Sequence, residues 1–137
     1  MSRILAIDYG LVRIGLAITD PLGILAQPLP PLKNRGDIEV IRGLKNIIEE
    51  KEVRWVLLGL AKKMDGTLGP VGEACLKLAD QLKKECNVEV KFLDEAFTSR
   101  EAEEILVGEL NVSREKRKNL KDSLSACLLL RGYLGNK

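Results

Sequence analysis

Apolar residues cluster in two short runs near the amino terminus, inside RILAID at residues 3–8 and RIGLAIT at residues 13–19. Each run has the length of a strand, and the turn between them centres on Tyr9 and Gly10. So short a connection predicts an antiparallel pair. Pro21, Pro28, Pro30 and Pro31 then interrupt the pattern, leaving room for a short edge strand near residues 23–27 and little more. From Asp37 to Lys51, Ile38, Ile41, Leu44, Ile47 and Ile48 recur at helical spacing and predict an amphipathic helix.

RWVLLGL, at residues 54–60, is a continuous apolar run between charge and glycine, the pattern of a fully buried parallel strand. A glycine-rich loop, AKKMDGTLGP, follows, and Pro70 suits the first turn of a helix reaching about Cys86. VEVKFLDEA, at residues 88–96, predicts another strand, with Trp55 and Phe92 as core aromatics. Thr98 and Glu101 form a capping-box signature that opens a helix immediately afterwards. A final helix runs from about Ser113 or Asn119 to Tyr133.

The order β-β-β-α-β-α-β-α-α predicts an α/β fold with a single five-stranded mixed sheet flanked by helices. The first three strands are antiparallel, and the first, fourth and fifth are parallel through right-handed crossovers. A chain of 137 residues without repeats or linkers fits one domain spanning residues 1–137. It carries no apolar run long enough for a membrane span and no leader-like segment, so a cytoplasmic protein without membrane attachment is expected.

Composition narrows the chemistry. The chain has no histidine, which removes Ser-His-Asp triads, histidine bases and histidine zinc sites. Its three cysteines are scattered without a C-x-x-C pair, and Cys75 and Cys127 fall within apolar helical patterns as small buried hydrophobes. Net charge is only +2, yet Arg114, Lys116, Arg117, Lys118 and Lys121 crowd one short segment. Such a segment is either a solvated helix face or a footprint for phosphates.

The acids show a clearer pattern. Asp8 ends the first strand, and Asp94 and Glu95 end the fifth. In open α/β sheets ligands bind outside the carboxyl ends of parallel strands, so these acids are expected at one rim. Like charges gathered there call for a cation. Asp122 heads a stripe of the last helix that continues through Ser125, Ala126 and Leu129, small enough for close approach to a sheet. Asp8 with Gly10 also reads as an ordinary turn, and Asp122 as an early-helix acid favoured by the helix dipole. Converging carboxylates without histidine are hard oxygen donors for Mg²⁺ or Mn²⁺, and two such ions can serve phosphodiester hydrolysis without a protein nucleophile.

Four stretches, AIDYGLVRIGLAITDPLG, VLLGLAKKMDGTLGP, FLDEAFTS and KDSLSACLLLRGYL, resemble in order and spacing the YqgF family of RNase H-like proteins. The likeness covers roughly residues 4–134. That family is described both as Holliday junction resolvases and as nucleases of pre-16S rRNA 5′-end maturation. The resemblance implies an RNase H-like fold with Asp8, Glu95 and Asp122 as catalytic acids holding Mg²⁺ or Mn²⁺, two ions with substrate bound, and Asp94 as an additional ligand. It places Gly10, Arg13, Lys62, Lys63, Thr67 and Arg100 along the nucleic acid, and the basic segment with Arg114, Lys116, Arg117, Lys118 and Lys121, which leads directly into Asp122, is expected to grip phosphates beside the scissile bond. The family's D-E-R reads D-E-A here, so Ala96 stands where an arginine is usual and Arg100 is a substitute; Ala61 and Leu11 are further departures.

The resulting expectation is a metal-dependent endonuclease acting on an rRNA precursor. A DNA junction resolvase shares the same site and would require a homodimer for paired cuts. A non-catalytic nucleic-acid-binding factor would keep the fold, but three rim acids without metal would be costly. An actin- or sugar-kinase-like nucleotide site also uses D-x-G before an apolar strand, but it needs a second domain, and no Walker-type stretch is present.

Overall fold

A computed structural model describes residues 3–60, 65–94 and 114–135, the side chains of 114–122 excepted. Its described elements are β1 (Arg3–Asp8), β2 (Arg13–Thr19), β3 (Ala26–Lys33), α1 (Asp37–Glu50), β4 (Val53–Leu60), α2 (Pro70–Cys86), β5 (Glu89–Asp94) and α3 (Arg114–Gly135). The strands form one sheet in the order β3-β2-β1-β4-β5, with β1 antiparallel to β2, β2 antiparallel to β3, and β1, β4 and β5 parallel. This is the mixed sheet that the hairpin and crossover patterns predict. The capping-box helix expected after Thr98 lies outside the described residues.

The pleat sorts side chains onto two faces. Leu5, Ile7, Ile14, Leu16, Ile18, Val56 and Leu58 pack with α1 and α2 in the larger core. Ile4, Ala6, Ala17 and Leu57 face the other way, against Leu124, Ala126, Cys127 and Leu130 of α3. Full burial of each leucine contributes about 1.5–3 kcal/mol, so both layers are stably held. Cys75 and Cys127 are buried thiols, as their apolar settings predict.

Three expectations need correction. The proline-rich segment is a strand of eight residues, Ala26–Lys33, longer and later than the short one expected near 23–27. Proline lacks an N–H, but an edge strand can turn that side outward, and here the register shifts so that Pro30 and Pro31 oppose Gly15 alone. In α1 the inward position belongs to Val40, while Ile38 is 78% exposed. Phe92 is 40% exposed rather than core, because β5 is the sheet's other edge.

Trp55 is half-buried at the far end of the sheet. Its ring meets that of Tyr133 edge to face at 5.1 Å, and Lys91 Nζ lies 4.5 Å from the indole centroid. Helix α3 therefore ends over the amino-terminal half of β4.

Candidate functional site

β1 stops at Asp8 because the next residues must reverse the chain into β2. Tyr9 still packs against the α1/α2 core, and Gly10 turns so closely that a Cβ there would collide with the Arg13 carbonyl oxygen. Only glycine fits that approach. Asn34, just beyond β3, clasps the turn: its Nδ2 donates to Gly10 O at 2.9 Å and to Tyr9 Oη at 3.2 Å. Its backbone N–H donates to Val12 O at 2.9 Å. The turn after Asp8 is thus tied to a third strand.

Asp8 shares parity with Ile4 and Ala6, so its side chain belongs to the α3 face. Its partners across the sheet are Gly15 on β2 and Gly59 on β4. Cross-strand partners project on the same face, so neither of the two interposes a side chain between Asp8 and that face. Asp8 is half-buried and both glycines are buried. On the opposite face, Cys75 Sγ donates to Gly59 O at 3.5 Å.

Ser123 fixes the helix. It is fully buried, and its Oγ accepts the Leu16 N–H at 3.1 Å while donating to Leu29 O. Leu16 and Leu29 face each other across the β2–β3 pair at the register shift. The hydroxyl therefore fills the place of a ladder hydrogen bond at the prolines' bulge. Leu16 also pairs with Ile7, one residue before Asp8. Asp122, adjacent to Ser123 in the helix, is consequently held by its backbone near the level of the Asp8–Gly15 pair. α3 passes from this rim to Tyr133 over Trp55, so its turns before Ser123 lie on the rim side.

The other expected residues divide by register. Asp94 pairs with Leu60 and shares the parity of Val90, placing it at the same rim but on the α1/α2 face, opposite to Asp8. Arg13 shares the parity of Gly15 and Ala17 and is exposed on the Asp8 face. Thr67 is exposed in the loop after β4, where its N–H and hydroxyl donate to Asp65 Oδ1 at 3.0 and 2.6 Å. These bonds, the hydroxyl's first, hold the Asp65 carboxyl below its ordinary pKa. Glu95, Ala96, Arg100, Lys62 and Lys63 lie outside the described residues. Arg114, Lys116, Arg117, Lys118, Lys121 and Asp122 lie in α3, their side chains outside the description.

Among the described residues no three His, Cys, Asp or Glu side chains group as a metal site. Of the three expected catalytic acids, Asp8 is the one whose side chain is described. Its oxygen donors suit a hard divalent cation. Cys127, on the same face, is no competing soft ligand, since burial pushes its thiol up to about 11. Sequence reasoning missed Ser123, Asn34, Gly15 and Gly59. The glycines were readable in RIGLAIT and WVLLGL as gaps in strand patterns. The hydroxyl and amide become meaningful only through contacts across the fold.

The profile of the RuvX family, described as Holliday junction resolvase, matches residues 2–136. A protein of Clostridioides difficile named "Putative pre-16S rRNA nuclease" is 42% identical over 136 residues, covering 99% of this chain and 96% of the relative. A protein of Endomicrobium trichonymphae with the same name is 41% identical over 134 residues, covering 98% and 96%. Among solved structures, Thermus thermophilus RuvC in complex with a Holliday junction substrate matches at TM-score 0.66 and 14% identity, covering 98% of this chain and 97% of RuvC. The fowlpox virus resolvase in complex with Holliday junction DNA matches at TM-score 0.66 and 12% identity, with coverage of 98% and 97%. At such identity these likenesses bear on the fold, which is RNase H-like. Among the described residues no helix is long and apolar enough to cross a membrane.

Proposed function

The chain belongs to the RuvX family, which the sequence resembles under the name YqgF, and from that membership we propose that it is a metal-dependent endonuclease trimming the 5′ end of pre-16S rRNA. The observation that supports the reading is structural: the Ser123 clasp seats the helix bearing Asp122 on the sheet face that carries Asp8, whose two cross-strand neighbours are glycines. An rRNA precursor is favoured over other nucleic acids by relatives of that name at about 40% identity across nearly the whole chain.

Asp8, Glu95 and Asp122 would hold one or two Mg²⁺ or Mn²⁺ ions, which when bound activate water and neutralise charge on the departing oxygen. Asp8 contributes from the strand end, its backbone fixed by the Asn34 clasp. Asp122 contributes from a helix whose position is set one residue later. Asp94, expected as an additional ligand, is on the reverse face and stands outside this set. Arg13 and the basic turn from Arg114 to Lys121 hold the flanking backbone, with Lys62, Lys63, Thr67 and Arg100 completing the track. A cytoplasmic location follows from the substrate.

The second reading, a Holliday junction resolvase, draws on the family description and requires a homodimer for symmetric cuts. One experiment separates them: cleavage of a pre-16S rRNA 5′ fragment and of a four-way DNA junction, side by side in Mg²⁺, Mn²⁺ and EDTA. RNA cutting that EDTA stops supports the first reading. Symmetric junction cutting without RNA cutting supports the second, and cleavage of neither refutes both.

A further inference from the structure

The β2–β3 pair ends at the Asp8 rim with Arg13 directly opposite Lys33. Both are exposed. Arg13 shares a face with Gly15 and Ala17, and its partner Lys33 alternates with Leu32, which packs on the other core. Two cations therefore stand side by side on the face that carries Asp8. Resting on the nuclease reading above, we propose that Arg13 and Lys33 form a binding subsite for one backbone phosphate of the nucleic-acid strand flanking the scissile bond.

The spacing suits that role. Arg13 lies two residues beyond Gly15, the partner of Asp8, which is about 7 Å along the strand, and Lys33 is about 5 Å further across. Lys33, two strands from Asp8, is placed for a phosphate next to one held at Asp8, and Arg13, one strand nearer, stands between the two. The subsite is also preorganised. Asn34, the residue after Lys33, is bonded to Tyr9, Gly10 and Val12 of the turn that follows Asp8. The cation pair and the catalytic turn therefore move as one piece. α3 reaches Ser123 from this same rim, so its basic turns precede the site on the side where the pair stands.

Binding of a fluorescent pre-16S rRNA 5′ fragment and of a four-way junction, measured in EDTA across a salt series, tests the subsite without catalysis. Lys33→Ala should weaken binding of whichever probe the wild type binds about eightfold at ~0.1 M salt and lower the slope of log K against log salt by about 1. Lys33→Arg should restore both. Lys77→Ala, on exposed α2 of the other layer, should change neither. In Mg²⁺, Lys33→Ala should raise KM with kcat unchanged, since a flanking phosphate is bound equally in ground and transition states. An unchanged affinity and slope for Lys33→Ala would overturn the subsite even if Asp8→Asn is inactive, leaving the nuclease reading intact. A lowered slope together with an Asp8→Asn protein that still cleaves would support the subsite and refute the catalytic assignment. Wild-type protein that binds neither probe overturns both.

Discussion

The hydroxyl of Ser123 accepts the backbone N–H of Leu16 at 3.1 Å, across 107 residues of sequence. The bond joins the last helix to the hairpin that begins the chain. Replacing Ser123 with alanine leaves the buried Leu16 N–H without that partner, at a cost of about 1–3 kcal/mol. Chemical unfolding should show that loss. A Mg²⁺ titration of cleavage by the folded variant should also shift to higher metal, because Asp122 loses its anchor.

Asp8→Asn keeps the size of the side chain while removing its charge and exchanging one acceptor oxygen for an amide donor. Far-UV circular dichroism should be unchanged, and metal-dependent cleavage should fall at least ~100-fold, the upper range for perturbing a metal's surroundings. Wild-type activity in the purified variant would move the chemistry elsewhere.

Gly10→Ala should behave differently. Its Cβ meets the Arg13 carbonyl oxygen, so the turn must open and strain the Asn34 bonds to Gly10 and Tyr9. A destabilisation of about 1–3 kcal/mol is expected, with weaker cleavage in proportion to the displaced Asp8. Thermal unfolding and activity measured together check it.

Acid should loosen two loops before it unfolds the sheet. The Asp20 carboxyl sits below its ordinary pKa of 3.8, chiefly through the Leu25 N–H and also the Ile24 N–H. Asp65 is lowered by the Thr67 hydroxyl and N–H. A lowered folded-state pKa stabilises above the ordinary value, and that contribution disappears as pH falls through the lowered one. Protection of the Ile24, Leu25 and Thr67 amides, their exchange taken against the intrinsic rate at each pH, should therefore fall below about pH 4, and Asp20→Asn should blunt the change at the first two.

The three thiols should differ in reactivity. Burial raises both Cys86 and Cys127, Cys127 to about 11, and Cys75 is buried. At pH 8 a thiol reagent should modify Cys86 first and slowly, with Cys75 and Cys127 reacting only on unfolding. Rapid native modification of Cys127 would contradict the packing of α3.

Strand and helix periods were legible wherever burial alone sets the pattern. The first hairpin, the buried fourth strand and the Pro70 helix start all lie where their apolar spacing and turn residues put them. β3 was not legible, because three prolines mask a strand whose missing ladder bonds are compensated by its edge position and by a serine from the far end of the chain. Ile38 and Val40 lie about 200° apart around the helix axis, so with Ile41, Leu44 and Ile48 inward Val40 falls inside the buried stripe and Ile38 outside it, a phase that the spacing of the isoleucines alone left open. In the candidate site, the rim position of Asp8 was readable from the strand's end. The face of Asp94 was not, since one residue of register reverses it.

The same prolines have a consequence for how molecules meet. Pro28, Pro30 and Pro31 offer no amide hydrogens along the β3 border of the sheet. A foreign strand seeking to lengthen the sheet there finds a poor template, so intermolecular β-pairing on that flank is discouraged. That border thereby resists aggregation without needing a protein cover.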